Sequence, residues 1–371
     1  MTHTLFGATL GRTSLGRAGR GITATLILAS NAPDIDIVAT AGGSIKYLEW
    51  HRGMTHGPLG VVLLAAASAA IVHVGRRVLA KHLSEVTLVG PRSPAADAPF
   101  HMLFAAALVG VIFHVLMDLP TSYGTRPFSP FSWRWYGLDW LPIIDIYLLI
   151  ALGSGLFLGR LSQEARRRNA TIVLTFVAAI YGARAYMHHQ AMDLAPRLFG
   201  PALPPRCDAP PENDPVVDSW PKAVPSPAVA GRRCLVEIAA IPTFMSPFDW
   251  RIVAQMSNSY EIHDVNILDG RLRDADGDAV FWRQTIRYPN IWTPDVQRAA
   301  TTRLGRVFLG FSRFPAARTA RDAAGAATVR FTDMRFVGGP LLNDARGRVQ
   351  PFTATIRFDQ SGDLVSERLG Q

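Results

Sequence analysis

The chain has 371 residues, 49% hydrophobic and 18% charged, with a formal net charge of +9. So apolar a composition sits poorly with an ordinary soluble enzyme. The basic excess does not argue for nucleic acid as a partner, because many arginines lie in short loops between apolar runs, where the positive-inside rule accounts for them.

In chain order, residues 4–10 and 22–30 are short apolar pieces on either side of Arg12, Arg17 and Arg20. That pattern predicts a helical hairpin that enters a membrane and returns. Four longer runs follow, at 58–75, 100–117, 141–158 and 170–187, each near the roughly 18 to 20 apolar residues that a bilayer crossing requires. The loop after the first carries Arg76, Arg77, Lys81 and Arg92, and the loop after the third carries Arg160, Arg166, Arg167 and Arg168. Counting Lys and Arg puts both loops, and the Arg12 to Arg20 turn, on the cytoplasmic side. Asp34, Asp36, His51, His56, His114, Asp118, Asp139 and Asp145 then fall on the opposite face, with everything beyond His188.

The expected fold is a mainly α polytopic membrane domain over 1–190, followed by a Pro-rich linker over 191–231 and a small α+β domain over 232–371. In the last, period-2 patterns rich in β-branched and aromatic residues occur at 234–241, 250–256, 260–268, 279–288, 328–337 and 352–358. A helix-like stretch at 294–311 interrupts them, and the whole reads as largely antiparallel. Asp333 and Arg335 fall on one face of a strand, where they can meet the membrane site or form a solvated surface pair, the second being the expected role. Cys207 and Cys234 are too few for a disulfide framework or a thiolate zinc site, and a single disulfide and two unpaired thiols both remain open.

The chemistry gathers at the ends of the apolar runs. His114 and Asp118 are four residues apart in a segment that must be helical, so both side chains project from one face and can reach the same ion. His51 and His56 flank Gly53 just before Pro58, in a turn where both can fold towards one centre. Asp34 and Asp36, after Pro33, offer hard oxygen ligands. Ionisable side chains at membrane depth are costly, and a bound cation is an economical reason for their presence. Mixed imidazole and carboxylate donors suit zinc, with manganese or iron as alternatives. Such a cation lowers the pKa of a bound water to about 7 and polarises an ester or phosphoryl oxygen. Asp34 and Asp36 are then the candidate catalytic carboxylates, and Arg52 and Arg126 the candidate forks for a phosphate.

These residues resemble a known family. The run Pro33-Asp34-Ile35-Asp36, the run His51-Arg52-Gly53-Met54-Thr55-His56, and His114-x3-Asp118 followed by Thr121-Ser122-Tyr123-Gly124 are similar to the inner-membrane metal-dependent hydrolases of the YdjM type. The resemblance implies a bacterial inner-membrane location. It also implies a distant likeness to the zinc-dependent phospholipase C and P1 nuclease group, and a ligand set of His3, Asp34, His51, His56, His114 and Asp118, with Asp145 in support. The family motif usually continues His-Ser, where this chain has His56-Gly57.

The expected function is therefore a membrane-bound metal-dependent hydrolase acting on a phosphoester or ester of a lipid or envelope component. Membrane lipids are its expected surroundings, and its site and C-terminal domain face the periplasm. A non-enzymatic transporter or scaffold with a structural His/Asp cluster is the second reading. Polar residues at helix ends rather than mid-membrane, with no internal repeat, favour the first.

Overall fold

The computed structural model describes residues 1–86, 96–158, 162–199, 203–207, 234–270, 286–337 and 352–370. They form two compact units: Met1–Val38 with Trp50–Ala185, and Ala39–Glu49 with Tyr186–Gln371.

The first unit is helical. Helices α1 (Thr2–Gly11) and α2 (Ile22–Ala29) make the expected hairpin. Thr4 Oγ1 donates to Asn31 Oδ1 at 2.8 Å, and Thr23 Oγ1 donates to the Gly11 carbonyl at 3.2 Å, so the two run antiparallel. A 3-10 stretch (Ala32–Gly42) and α3 (Ser44–Trp50), of which Ala39–Glu49 belong to the second unit, lead to α4 (Pro58–Val86), α5 (Phe100–Asp118), α6 (Ile146–Leu158) and α7 (Gln163–Leu194), whose end from Tyr186 also belongs to the second. Among the described residues, three helical segments are long and apolar enough to cross a membrane: Pro58–His82, Phe100–Asp118 and Glu164–Phe199. Ile22–Ala29 with Ala32–Gly42 makes a fourth if read as one span bent by 41°. Exposed Leu63, Ile71, Ile150, Phe157 and Ile172 on α4, α6 and α7 are apolar surface suited to lipid.

The run 141–158 is shorter as a helix than its hydropathy suggests, covering only 13 residues from Ile146. Leu141 is held in an extended bridge with Thr121, and Pro142 supplies no backbone donor. Asp145 then caps the helix, its Oδ1 accepting from the Tyr147 and Leu148 backbone amides at 2.9 and 3.1 Å. Close helix packing is set by small residues. A Cβ on Gly110 of α5 would stand 2.9 Å from Ala29 Cβ and 3.2 Å from the Leu26 carbonyl oxygen, so α5 can lie directly on α2.

The alternating helices sort charge to opposite ends of this unit. At one end Arg12 donates to the Leu156 carbonyl at 2.7 Å, and Arg76 donates to the carbonyls of Arg20 and Ala98. Arg92 and Arg160 lie outside the described residues. The other end gathers the start of α1, the end of α2, the start of α4 and the end of α5, and with them His3, Asp34, His56, His114 and Asp118.

The second unit contains two four-stranded antiparallel meanders. The first is β1 (Leu235–Pro242), β2 (Asp249–Met256), β3 (Ser259–Asn266) and β4 (Ile286–Pro289); the second is β5 (Pro315–Arg321), β6 (Ala327–Asp333), β7 (Thr353–Phe358) and β8 (Leu364–Gly370). Tyr260 and Ile262 of the first share a core with Phe314, Ala316 and Met334 beside the second. The stretch 294–311 is two helices, α8 (Pro294–Thr301) and α9 (Arg303–Phe311). Thr302 is extended at φ −69° and ψ 166°, and its hydroxyl caps α9 by accepting from the Gly305 amide. Strands β5 and β8 went unread in the sequence, the one opening Pro-Ala-Ala and the other exposed and charged. Residues 279–285 of the fourth expected strand, and the linker from 208 to 231, lie outside the described residues; the linker's first part is the end of α7 and a 3-10 turn (Ala195–Phe199).

Of the two open cysteine readings, the structure takes the disulfide: Cys207 and Cys234 are bonded, closing a separation of 27 residues, and the Cys207 amide donates to the Leu235 carbonyl. A loop of that length is stabilised by about 3 kcal/mol when closed. Cys234→Ser is therefore expected to lower the unfolding midpoint of the full chain, and reductant is expected to lower the wild-type midpoint but not the variant's. Equal sensitivity to reductant would count against the bond.

Candidate metal centre

Four side chains from three places in the chain meet at the polar end of the helical unit. Asp34 comes from the 3-10 stretch after α2, His56 from the turn before α4, and His114 and Asp118 from the last turns of α5. One ligand atom from each can be chosen so that all four lie within 4.8 Å of one another. His56 Nε2, His114 Nε2 and Asp118 Oδ2 form a triangle with all three edges 3.3 Å. Asp34 Oδ1 stands 3.5 Å from His114 Nε2.

Those edges are long for hydrogen bonds, which centre near 2.9 Å. They match the spacing of ligands around a tetrahedral ion, because bonds of about 2.0 to 2.1 Å put neighbouring ligands roughly 3.3 Å apart. The outer nitrogens complete the fit. His114 Nδ1 donates to the Ser30 carbonyl at 2.8 Å, and a carbonyl only accepts, so Nδ1 carries a proton and Nε2 is the atom that would offer its lone pair to a cation. His56 Nδ1 has Thr55 Oγ1 at 3.0 Å. Burial pushes the His56 imidazole below its ordinary pKa, which keeps it neutral, the form that binds a metal. Two imidazoles and two carboxylates can hold a divalent cation, zinc, manganese and iron among them. Asp34, with 47% of its side chain exposed, is the open side of the group.

The other sequence candidates surround this quartet. His3 stacks on His114 with ring centroids 3.9 Å apart, and its Nε2 lies 3.4 Å from Asp118 Oδ1. His51 does not reach the same centre as His56; it pairs with Asp36 at 3.2 Å. Arg52 adopts a left-handed backbone, φ 50°, and this bends the turn between the two histidines. Its amide donates to Asp36 Oδ2 at 2.6 Å, one guanidinium nitrogen reaches Asp118 Oδ1 at 3.1 Å, and the other donates to the Gly124 carbonyl at 2.8 Å. Arg52 thus ties Asp36 and Asp118 together. Arg126 is buried and stacked over Trp133 and Trp135 at 5.4 and 4.7 Å. Asp145 is engaged with Arg184 of α7 at 2.6 Å as well as with the α6 cap. Arg184 is absent from the sequence candidates, although an arginine inside an apolar run is the signal that should have raised it.

A model of the YdjM inner membrane protein family matches residues 1–191, more than half of the chain. The chain belongs to that family. Among curated proteins, this YdjM family member is similar to the uncharacterized protein YfhP of Bacillus subtilis (strain 168), at 29% identity over 125 residues, 34% of this chain and 32% of the relative. It therefore spans about a third of the relative's length. No solved structure matches it.

Gly57, at the position where the resemblance implies a serine, has a local cause. A Cβ at this position would stand 1.8 Å from the Ser129 carbonyl oxygen and 2.7 Å from its hydroxyl. Ser129 is itself buried and hydrogen-bonded to the Arg126 carbonyl. Gly57→Ser is therefore expected to force the loop away from the His56 turn and to cost about 3 kcal/mol, the scale of overpacking. Thermal unfolding of the variant checks this; an unchanged midpoint would show that the loop yields freely.

Proposed function

We propose that this family member is a membrane-bound metal-dependent hydrolase, with zinc the first choice of cation, held by Asp34, His56, His114 and Asp118 with His3 alongside. The observation that carries the reading is the 3.3 Å triangle of inward-facing donors with Nδ1 of each imidazole already engaged. When bound, the cation supplies an acidified water and a Lewis acid for a phosphoryl or carbonyl oxygen. The chain's own part is orientation and proton transfer. The Ser30 carbonyl and Thr55 fix the two imidazole rings, Arg52 holds Asp118, and the exposed Asp34 is the carboxylate placed to take a proton. Asp36 braces His51 and the Arg52 turn.

The substrate is a phosphoester or ester of a lipid or envelope molecule, because the centre lies at the ends of bilayer-length helices and a membrane-resident molecule can approach it from the side. The outer face of the inner membrane is the proposed location. The Arg- and Lys-rich end then faces the cytoplasm, and the Cys207–Cys234 disulfide suits an oxidising compartment. The test is hydrolysis of generic phosphodiester and carboxylic ester probes by the detergent-purified full chain. Activity abolished by a chelator and restored by zinc or manganese supports the proposal. A metal-loaded chain that turns over neither probe class leaves the scaffold or transporter reading.

A further inference from the structure

In the helical unit that holds the metal centre, α7 carries a pair of polar groups that neither the sequence motifs nor the ligand set uses. Tyr181 and Arg184 are three residues apart, so they share one face of the helix. The Arg184 side chain is 3% exposed, and its Nη2 donates to Asp145 Oδ2 at 2.6 Å. Its Nη1 is buried and has no hydrogen-bond partner among the described residues. Two N–H bonds left empty on a desolvated cation are costly, and an anionic oxygen is the acceptor that best relieves them.

The Tyr181 hydroxyl donates to none of the described residues, and the ring packs with the helical core of the first unit. It lies within electrostatic reach of Asp118, which belongs to the metal centre, and of Asp145, which holds Arg184. The chain returns the segment before Asp145 to the segment just after Asp118. After α5 ends at Asp118, the Trp140 and Leu141 amides both donate to the Pro120 carbonyl, at 2.9 and 3.1 Å, so that Asp145 follows shortly after the chain has returned to the end of α5.

We propose that Tyr181 and Arg184 form an anion-binding wall beside the metal centre, built for the non-bridging oxygens of a phosphoryl group. This rests on the hydrolase reading and narrows it from esters in general to phosphoesters. A guanidinium nitrogen with two open donors pairs with a charged phosphoryl oxygen, whereas a neutral carboxylic ester offers a weaker acceptor and leaves the cation under-satisfied. The phenol adds a donor beside it.

The test uses the full chain in detergent, with metal content measured, and inorganic phosphate as the probe. Phosphate affinity is read by equilibrium dialysis and by the rise in thermal midpoint, for wild type, Arg184→Lys and Tyr181→Phe. Wild type is expected to bind saturably. Arg184→Lys should bind about tenfold more weakly or worse, the value of one charge-assisted hydrogen bond, and Tyr181→Phe several-fold more weakly, both with wild-type metal content. Tyr181→Phe removes one oxygen from the wall and decides the matter even if Arg184→Lys fails to fold. Phosphate affinity unchanged in Tyr181→Phe, or no saturable binding by wild type, overturns the wall. Metal present with phosphate binding intact in both variants refutes the wall but leaves the metal centre. Phosphate binding that is lost in the variants of a chain carrying no metal keeps the wall and removes the hydrolase reading.

Discussion

Replacing His114 with alanine is expected to strip the divalent metal from the purified chain, lowering its affinity by more than the roughly 100-fold that loss of an outer hydrogen bond alone can cost. His114 is the hub of the quartet. Its Nε2 faces His56 Nε2, Asp118 Oδ2 and Asp34 Oδ1 at 3.3, 3.3 and 3.5 Å, and its ring is fixed by the Ser30 carbonyl and covered by His3. Alanine removes one ligand and the tie between α5 and the end of α2 in a single step. His51→Ala is the matched control. His51 pairs with Asp36 and stands outside the quartet, so that variant should keep most of its metal. Because a cation that binds only the folded chain stabilises it by mass action, added zinc should raise the thermal midpoint of wild type and of His51→Ala, and not that of His114→Ala. Elemental analysis and thermal unfolding read the two effects. Equal metal in wild type and His114→Ala would remove the centre.

The contrast between the two histidines marks where the sequence stops being informative. His114 and Asp118 were legible because four-residue spacing in a helix leaves little freedom, and the observed edge is the one that spacing implies. His51 and His56 lie in a turn, and a turn's direction depends on single dihedrals. The left-handed Arg52 sends His56 to the centre and His51 to Asp36, which no periodicity records. The same holds for the fold. Long apolar runs and alternating strands were readable from hydropathy and period, whereas α6 lost its first residues to the Thr121–Leu141 bridge, a tertiary contact. Arg184 was missed for another reason. It sits in a run whose overall hydropathy reads as membrane, and its importance lies in a partner, Asp145, 39 residues away. An arginine inside an apolar run is visible in the sequence, but nothing local to either residue records which partner buries it.

The second large effect is expected in the other unit, at Asp333. The alternation of β6 suggested a solvated pair with Arg335, for which loss of either partner would cost less than about 1 kcal/mol. Instead Asp333 is fully buried and Arg335 nearly so. Arg335 Nη2 lies 2.7 Å from Asp333 Oδ2, Nε lies 3.1 Å from both carboxylate oxygens, and the Arg335 amide donates to Oδ1 at 3.0 Å. The guanidinium also packs over the Phe311 and Phe336 rings and donates to the Phe311 carbonyl. The strand pattern misled because Arg335 lies past the end of β6, where the chain turns and folds its side chain back inside. Asp333→Ala should therefore cost about 3 to 5 kcal/mol, the penalty of a buried charge stripped of its partner. The double change Asp333→Leu with Arg335→Met should be far milder, since no charge is then left in the core, and the two single effects will not add. Denaturant unfolding of the full chain, followed by the fluorescence of its tryptophans, measures both. A single-variant cost near that of a surface pair would mean that water reaches the Arg335 guanidinium once Asp333 is gone.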